Sequence, residues 1–311
     1  MSRTAFALSA LILAASFGSA HALAPNGEKD VARMISLSGS CSGCDLSGKK
    51  LLNARINGAN FQSAKLVGAD MRGAKIVGSN FASADLSRAD LRGAYMMGAN
   101  FQSAELSGAQ MEGLEATGSN FVNASLRRVD LRSAELRGVN FSSADLADSD
   151  LRHGELHGVV LVNASASRVD FRNAEMNGSN LSGGNFSNAD FRNADLTGAV
   201  LNGGDFRGAD FRNTDLSGVS LHGADLSRAK GLTQDQIDEA CVNNSTRLPS
   251  GLSARGCKNG HRRVMINAAE AGRIKAEAKA EAMAAAEARA NAAAAARAVP
   301  RPPAPPKPPR S

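Results

Sequence analysis

An apolar residue occupies every fifth position of this chain over most of its length. From Leu46 to Leu226, all 37 positions in this frame are Leu, Phe, Ile, Met or Ala, and the frame never slips. Helices repeat at about 3.6 residues and strands at 2, so neither element alone produces such a pattern. An uninterrupted period of five therefore predicts a repeat architecture in which successive units stack on one another.

A second period of twenty residues is superimposed on the first. Phe recurs at positions 61, 81, 101, 121 and 141, each time after Asn, and Asp-Phe-Arg-Asn recurs at 170–173, 190–193 and 210–213. Two positions before most of these apolar residues stands a small one, most often Ala. Twenty residues are four of the five-residue units, which indicates that four units make one turn.

The pattern A-(D/N)-(L/F)-x-x over residues 44–228 resembles the pentapeptide repeat family. The resemblance implies an all-β solenoid, a right-handed quadrilateral β-helix of about nine coils, with short helical caps and one pentapeptide on each side of a coil. The central apolar residue and the small residue two before it then point inward. At Leu114 and Ala116 the large and small inward residues are exchanged, which conserves core volume.

The first 22 residues have the features of a secretory signal peptide. A charged start at Arg3 precedes an apolar stretch and the small-residue site Ala20-His21-Ala22. The apolar stretch is shorter than the ~20 residues that a membrane-spanning helix needs. We therefore expect a cleaved leader, a periplasmic or secreted protein, and no transmembrane segment in the mature chain.

The flanks of the repeats divide into caps and a tail. We expect an N-terminal helical cap at 23–43, the β-helix at 44–230 and a C-terminal cap at 231–260, where Thr233 and Gln236 stand at capping-box spacing. An Ala-rich basic helix at 261–299 and a Pro-rich disordered tail at 300–311 follow. This basic tail either contacts an anionic surface or acts as a spacer.

The four cysteines form two pairs that are close in sequence, Cys41 with Cys44 and Cys241 with Cys257. Thiols in an oxidising compartment tend to pair, so two local disulfides are expected. Zinc binding by the Cys41–Cys44 pair is the alternative, although no second pair or histidine joins it at ligand spacing.

Catalytic, cofactor and metal sites are not evident in the sequence. His153 and His157 are four residues apart, which places them on adjacent sides of a five-residue repeat and not on a common helical face. There is no nucleophile elbow or phosphate-binding glycine loop. We expect a chain that is not an enzyme and binds no cofactor or metal.

One predicted face carries an Asp before and an Arg after each central residue. This charged ladder comprises Asp70, Arg72, Asp90, Arg92, Asp130, Arg132, Asp150, Arg152, Asp170, Arg172, Asp190, Arg192, Asp210 and Arg212. Its charges either screen one another on a solvated face or form a recognition stripe for carboxylate or phosphate groups.

Another predicted face has no charged residue at its outward positions. This uncharged face comprises Asn60, Asn80, Asn100, Gln102, Asn120, Val122, Asn140, Val160 and Val162. A flat face without charge suits self-association or a protein partner. Alternatively, its asparagines bond from coil to coil as a stabilising ladder.

The combined features favour a non-enzymatic, exported scaffold or protein-binding rod of the bacterial envelope. The family also suggests an alternative, since some members mimic duplex DNA and bind type II topoisomerases. That alternative needs a cytoplasmic, acidic rod, whereas this chain has a leader and arginine ladders. No nucleic-acid partner is expected, because the basic tail has no aromatic residue for base stacking.

Overall fold

The backbone of the repeat region advances by one layer every twenty residues. A computed structural model describes residues 40–254 and 257. Parallel bridges join residues twenty apart, beginning with Asp45 to Lys65 and continuing to Asp210 and Lys230. The chain is therefore a parallel β-solenoid, as the resemblance to the pentapeptide repeat family implies. The expected leader, nearly all of the N-terminal cap and the basic tail lie outside the described residues.

One side of the solenoid forms a regular parallel sheet. Its strands, in sheet order, are β1 (Arg55–Asn57), β2 (Lys75–Val77), β3 (Tyr95–Met97), β4 (Glu115–Thr117) and β5 (Glu135–Arg137). Each strand pairs in register with the one a full turn later, so that Ile56 faces Ile76 and Ile76 faces Met96. These five strands span four turns. Isolated single-residue bridges join neighbouring coils on the other three sides and in the later coils.

The core is a column of inward-pointing side chains along the solenoid axis. From Leu51 onward the central apolar residues are buried, and from Ala54 onward so are nearly all of the residues two before them. Leu114 and Ala116 are each 1% exposed, so the exchanged pair points inward as predicted. On one side Phe61, Phe81, Phe101, Phe121 and Phe141 stack with ring centroids 4.8 to 5.1 Å apart. This spacing matches that of neighbouring β-strands.

The corners of each coil turn through a residue with a left-handed backbone. This residue lies two positions after the central one, and its φ is 59° at Gly93 and 57° at Asn193. Gly and Asn adopt this region most readily, which explains their recurrence at that position. Because the turn recurs at each side, the chain folds into four-sided coils.

A short helix closes the C-terminal end. Helix α1 (Gln234–Glu239) begins after Thr233, whose side chain accepts from the Gln236 backbone N–H, and Gln236 completes the predicted capping box. Ile237 packs into the end of the core. No helix in the described part of the chain has the length and apolar character needed to cross a membrane.

Candidate interaction surfaces

The charged ladder forms paired carboxylates and guanidiniums within each repeat. Asp and Arg flank a buried residue, so both side chains point outward from the same side of the coil. In the first pair, Arg72 donates from Nε to Asp70 Oδ1 at 2.8 Å and from Nη2 to Oδ2 at 2.7 Å. All seven predicted pairs adopt this two-point geometry.

Successive pairs also contact one another across coils. Nε of Arg152 lies 3.5 Å from Oδ2 of Asp170, and the Arg172 and Asp190 pair is equivalent at 3.6 Å. The predicted ladder skips the coil at 110–112, but Glu112 there accepts from Nη2 of Arg132 at 3.3 Å. Sequence reasoning missed Glu112, which partly bridges the gap.

The pairing affects both titration and exposure. The hydrogen bonds from Arg72 and Arg132 lower the pKa of Asp70 and Asp130 below the ordinary aspartate value. The seven arginine side chains are 34 to 58% exposed, but their aspartates are only 14 to 32% exposed. Because solvent screens these exposed pairs, each contributes little to stability. The outermost layer of this face is therefore made of guanidinium groups.

The residue at the corner after each ladder arginine differs between the first and the last coils of the solenoid. In the first coils the residue after the arginine is Gly73 or Gly93. In the last coils it is asparagine, and the arginines and asparagines line a groove of about 310 Å³: Arg172, Asn173, Arg192, Asn193, Arg212 and Asn213. This groove was not anticipated from the sequence, although the recurring Asp-Phe-Arg-Asn is its signature.

The uncharged face contains a continuous amide ladder in its first coils. Nδ2 of Asn80 donates to Oδ1 of Asn60 at 3.0 Å, and Asn100 and Asn120 continue the series at the same distance. Among the described residues no amide bond joins Asn140 to Asn120, so the ladder ends there, and Oδ1 of Asn140 accepts from the backbone N–H and the hydroxyl of Ser142. The predicted coil-to-coil bonding is thus present over four coils.

Beyond the amide ladder the uncharged face is more apolar. Half-buried valines stand at its outward positions: Val122, Val160, Val162 and Val200. Gln102 also lies on this face and is exposed. The face therefore changes from amide to aliphatic along the solenoid and carries no charge at the predicted positions.

A third face, not singled out from the sequence, reverses its charge along the axis. It begins with Arg55, Lys75 and Tyr95, which help to line a groove of about 660 Å³. An acidic column follows, made of Glu115, Glu135, Glu155, Glu175, Asp195 and Asp215. Reading outward residues at a period of twenty would have revealed this column.

The cysteines form disulfides, and the two histidines predicted to lie on adjacent sides of a coil do so without forming a metal site in the described residues. Disulfides join Cys41 to Cys44 and Cys241 to Cys257. His157 lies 3.5 Å from Glu175, and His153 occupies a corner with φ 58°. Among the described residues, no group of three or more His, Cys, Asp or Glu side chains is arranged to hold a metal ion.

These observations define the class of the protein and then its family. Four-sided coils with two inward residues per side, stacked in parallel register, make it a β-solenoid repeat protein. Family models for pentapeptide repeats match residues 40–76, 155–193 and 194–230, and a pentapeptide repeat region model matches 84–161. The chain belongs to the pentapeptide repeat family.

Solved structures of pentapeptide repeat proteins are similar to this chain. HetL, involved in heterocyst differentiation regulation in the cyanobacterium Nostoc sp. Strain PCC 7120, is 26% identical over 70% of this chain and 98% of its own, with a TM-score of 0.42. Full-length QnrB1, a plasmid-mediated fluoroquinolone resistance protein, is 17% identical over 66% and 94%, with a TM-score of 0.33. A protein from the Arabidopsis thaliana thylakoid lumen is 23% identical over 47% and 82%, with a TM-score of 0.29. A search of curated proteins gave no match.

Proposed function

We propose that this protein is a non-enzymatic scaffold of the bacterial envelope that binds a protein through its uncharged face. The observation that carries the proposal is the contrast between faces. The uncharged face has no charge at its outward positions, whereas the ladder and the third face carry charges on most coils. Charged residues are depleted at the cores of protein interfaces, so the uncharged face is the one suited to a protein partner.

The side chains of this face support the same assignment. The amides of Asn80 and Asn100 are already bonded to their neighbours, which lowers the desolvation cost of covering them. The valines at 122, 160, 162 and 200 add aliphatic surface that a partner would bury. Because the backbone beneath is a stack of regular coils, the face is preorganised for binding and loses little conformational entropy on association.

A pair of variants tests the face. Val122→Lys with Val162→Lys places two charges on it, and Val67→Lys with Val77→Lys places the same charges on half-buried valines of other faces. We expect the first variant to lose self-association, measured as native mass by light scattering, or cross-linking to its periplasmic partner. The control pair should retain both. If the first variant keeps the wild-type mass and cross-links, the uncharged face is not the interface.

Export is the second part of the proposal. Residues 1–22 have the features of a leader, and disulfides such as Cys241–Cys257 persist in oxidising compartments. The basic tail at 264–311 then serves as a spacer or contacts an anionic surface. A periplasmic chain that begins near Leu23 and has no thiol to alkylate would support export. An uncleaved cytoplasmic chain with four alkylated cysteines would refute it.

The DNA-mimic alternative finds one supporting feature in the acidic column of the third face, but the charged ladder does not fit it. A mimic of duplex DNA must present a dense row of negative charge. Here the carboxylates of the ladder are covered by more exposed arginines, of which Arg212 is 58% exposed beside Asp210 at 14%. The scaffold proposal fits this distribution better.

A further inference from the structure

The outward residues of β1 to β5 on the third face are arranged symmetrically, with opposite charges on the two sides of the centre. In order along the solenoid axis, the first residues of the five strands are Arg55, Lys75, Tyr95, Glu115 and Glu135. Each strand lies one coil from the next, so two cations precede the tyrosine and two carboxylates follow it at matching separations. A half-turn about β3 therefore exchanges the cationic half of this block with the anionic half.

The exposure of the five strands has the same symmetry. Both outward residues of β1 and of β5 are exposed, whereas both outward residues of β3, Tyr95 and Met97, are half-buried. The corners before β2 and β3 are Gly73 and Gly93, which carry no side chain, and a groove of about 660 Å³ opens there beside the tyrosine. An apolar centre with a charged rim is the usual arrangement of a protein interface.

The inner two charges of the block are available to a partner. No ion pair or side-chain hydrogen bond joins Lys75 or Glu115 to another residue of the described chain, and both side chains are exposed. Glu135 differs, because Arg137 of the same strand lies 3.8 Å from it. The inner charges therefore have more to gain from an outside partner than Glu135, whose charge is partly neutralised within the chain.

We propose that the face formed by β1 to β5 pairs with the same face of a second copy of this chain, with the two solenoid axes antiparallel. The two-fold axis runs along β3, so that Tyr95 faces Tyr95 and Lys75 of each copy faces Glu115 of the other. A two-fold contact requires a self-complementary surface, and the order of charges supplies it. The pairing goes beyond the proposed function, because it uses the third face and not the uncharged face.

Other ways of joining two copies through this face match the charges less well. With the axes parallel, Lys75 would lie opposite Lys75, and like charges in contact are unfavourable. In the antiparallel pair, a shift of one coil toward greater overlap places Tyr95 against Glu115, which desolvates a carboxylate without giving it a cation. A shift of two coils places Glu115 opposite Glu115, and the opposite shift shortens the contact to four coils. Only the unshifted pair matches every charge of the block, and an unrelated partner would not require this symmetry.

The size of the face limits the strength of the pairing. Five strands of three residues cover about 24 Å along the solenoid axis and about 10 Å across it. This is smaller than the roughly 800 Å² per partner that a standard interface buries. The dimer is therefore weak, forms at high protein concentration, and does not set the native mass of a dilute sample.

Oxidative coupling of tyrosine tests the contact directly, because Tyr95 is the only tyrosine of the chain. Ruthenium-sensitised photo-oxidation with persulfate joins two phenols that lie in contact. We expect a covalent dimer of the native protein, with a yield that saturates as concentration rises. The matched control combines Tyr95→Phe with Val67→Tyr, which moves the phenol to a half-buried position on another face and should give little cross-linking. Equal yields from the two proteins would overturn the proposal, because random collision would then explain both.

Charge reversal tests the antiparallel register. Lys75→Glu places a carboxylate opposite Glu115, and Glu115→Lys places an ammonium opposite Lys75. Each variant alone should self-associate about tenfold more weakly than wild type in sedimentation equilibrium. A mixture of the two variants should associate as tightly as wild type, because both opposite-charge pairs form again in the mixed dimer. Lys65→Glu, the same change at an exposed position of another face, should have no effect.

The mixture is the decisive measurement in this series. If it associates no more tightly than either variant alone, or if both single variants match wild type, the antiparallel pairing is wrong. A weakening by Lys65→Glu equal to that by Lys75→Glu would also overturn it, because net charge and not the third face would then be responsible.

A last variant separates this pairing from binding at the uncharged face. Val122→Lys with Val162→Lys should leave the tyrosine cross-link at its wild-type yield, whatever it does to a protein partner. A lysine at Val77 is compatible with the pairing, since β2 lies opposite the strand that carries Glu115. Loss of the tyrosine cross-link in the Val122 and Val162 variant would contradict the inference, because the uncharged face would then hold the two copies together.

Discussion

Truncation of one ring in the phenylalanine stack tests how tightly the coils fix the core. Phe101 is fully buried, and its ring centroid lies 5.0 Å from that of Phe81 and 4.8 Å from that of Phe121. Phe101→Ala removes both ring contacts and leaves a gap in the middle of the stack. Phe61→Ala is the matched control, because Phe61 stacks on Phe81 alone within the described chain.

The expected cost follows from how little the gap can close. The backbone around it is fixed by hydrogen bonds, such as Phe101 N to Asn120 O at 2.7 Å. Burial loss and a retained cavity make Phe→Ala cost about 3–5 kcal/mol, and we expect Phe101→Ala to lie in that range. Phe101→Leu should cost less than about 1.5 kcal/mol, since Leu161 and Leu181 already occupy the same column.

Denaturant unfolding with hydrogen exchange measures these effects. Repeat proteins need not unfold in one step, so exchange in coils on both sides of Phe101 should accompany the global free energy of unfolding. Exchange should accelerate most in the coils at 81 and 121. A cost for Phe101→Ala no larger than that of Phe101→Leu would refute the reasoning, because it would mean that the coils collapse into the gap.

Three further predictions follow from local contacts. Gly184→Ala should destabilise the chain by about 1–3 kcal/mol in denaturant unfolding, since a Cβ there would lie 2.5 Å from Phe186 Cε2. Cys257→Ser opens a disulfide with a sequence separation of 16 and should cost the C-terminal cap about 3 kcal/mol, seen as faster exchange in helix α1. The hydrogen bond from Arg92 lowers the pKa of Asp90, so its stabilisation is complete above about pH 4 and disappears as pH falls through the folded pKa. As pH falls below about 4, the free energy of unfolding should therefore decrease less for Asp90→Asn than for wild type. Identical pH dependence of the two free energies would contradict this.

The fold was predictable because its core depends on a strictly local rule. Each inward position is set by its place in a five-residue unit, so Leu114 and Ala116 could be assigned to the core without long-range information. The seven Asp and Arg pairs were equally accessible, since both members lie within one unit. Features contained in a single repeat can thus be predicted from the sequence.

Contacts between coils were harder to predict because they depend on side-chain length and rotamer. The amide ladder stops after Asn120, and Oδ1 of the next asparagine, Asn140, accepts from the Ser142 hydroxyl. Glu112 reaches Arg132 across a coil, although its own repeat lacks the Asp and Arg pair. The period of twenty shows which residues are stacked but does not show which of them bond.

Because inward and outward positions are separate in each repeat, one apolar core can carry outer faces of different chemistry. Gly93 and Asn193 occupy equivalent corners with φ of 59° and 57°, so the backbone accepts either residue without change. Only the asparagine adds a wall beside the neighbouring arginine. Outward columns therefore vary without changing the apolar frame from Leu46 to Leu226, and the chemistry of each outer face is set by residues that recur every twenty positions, not every five.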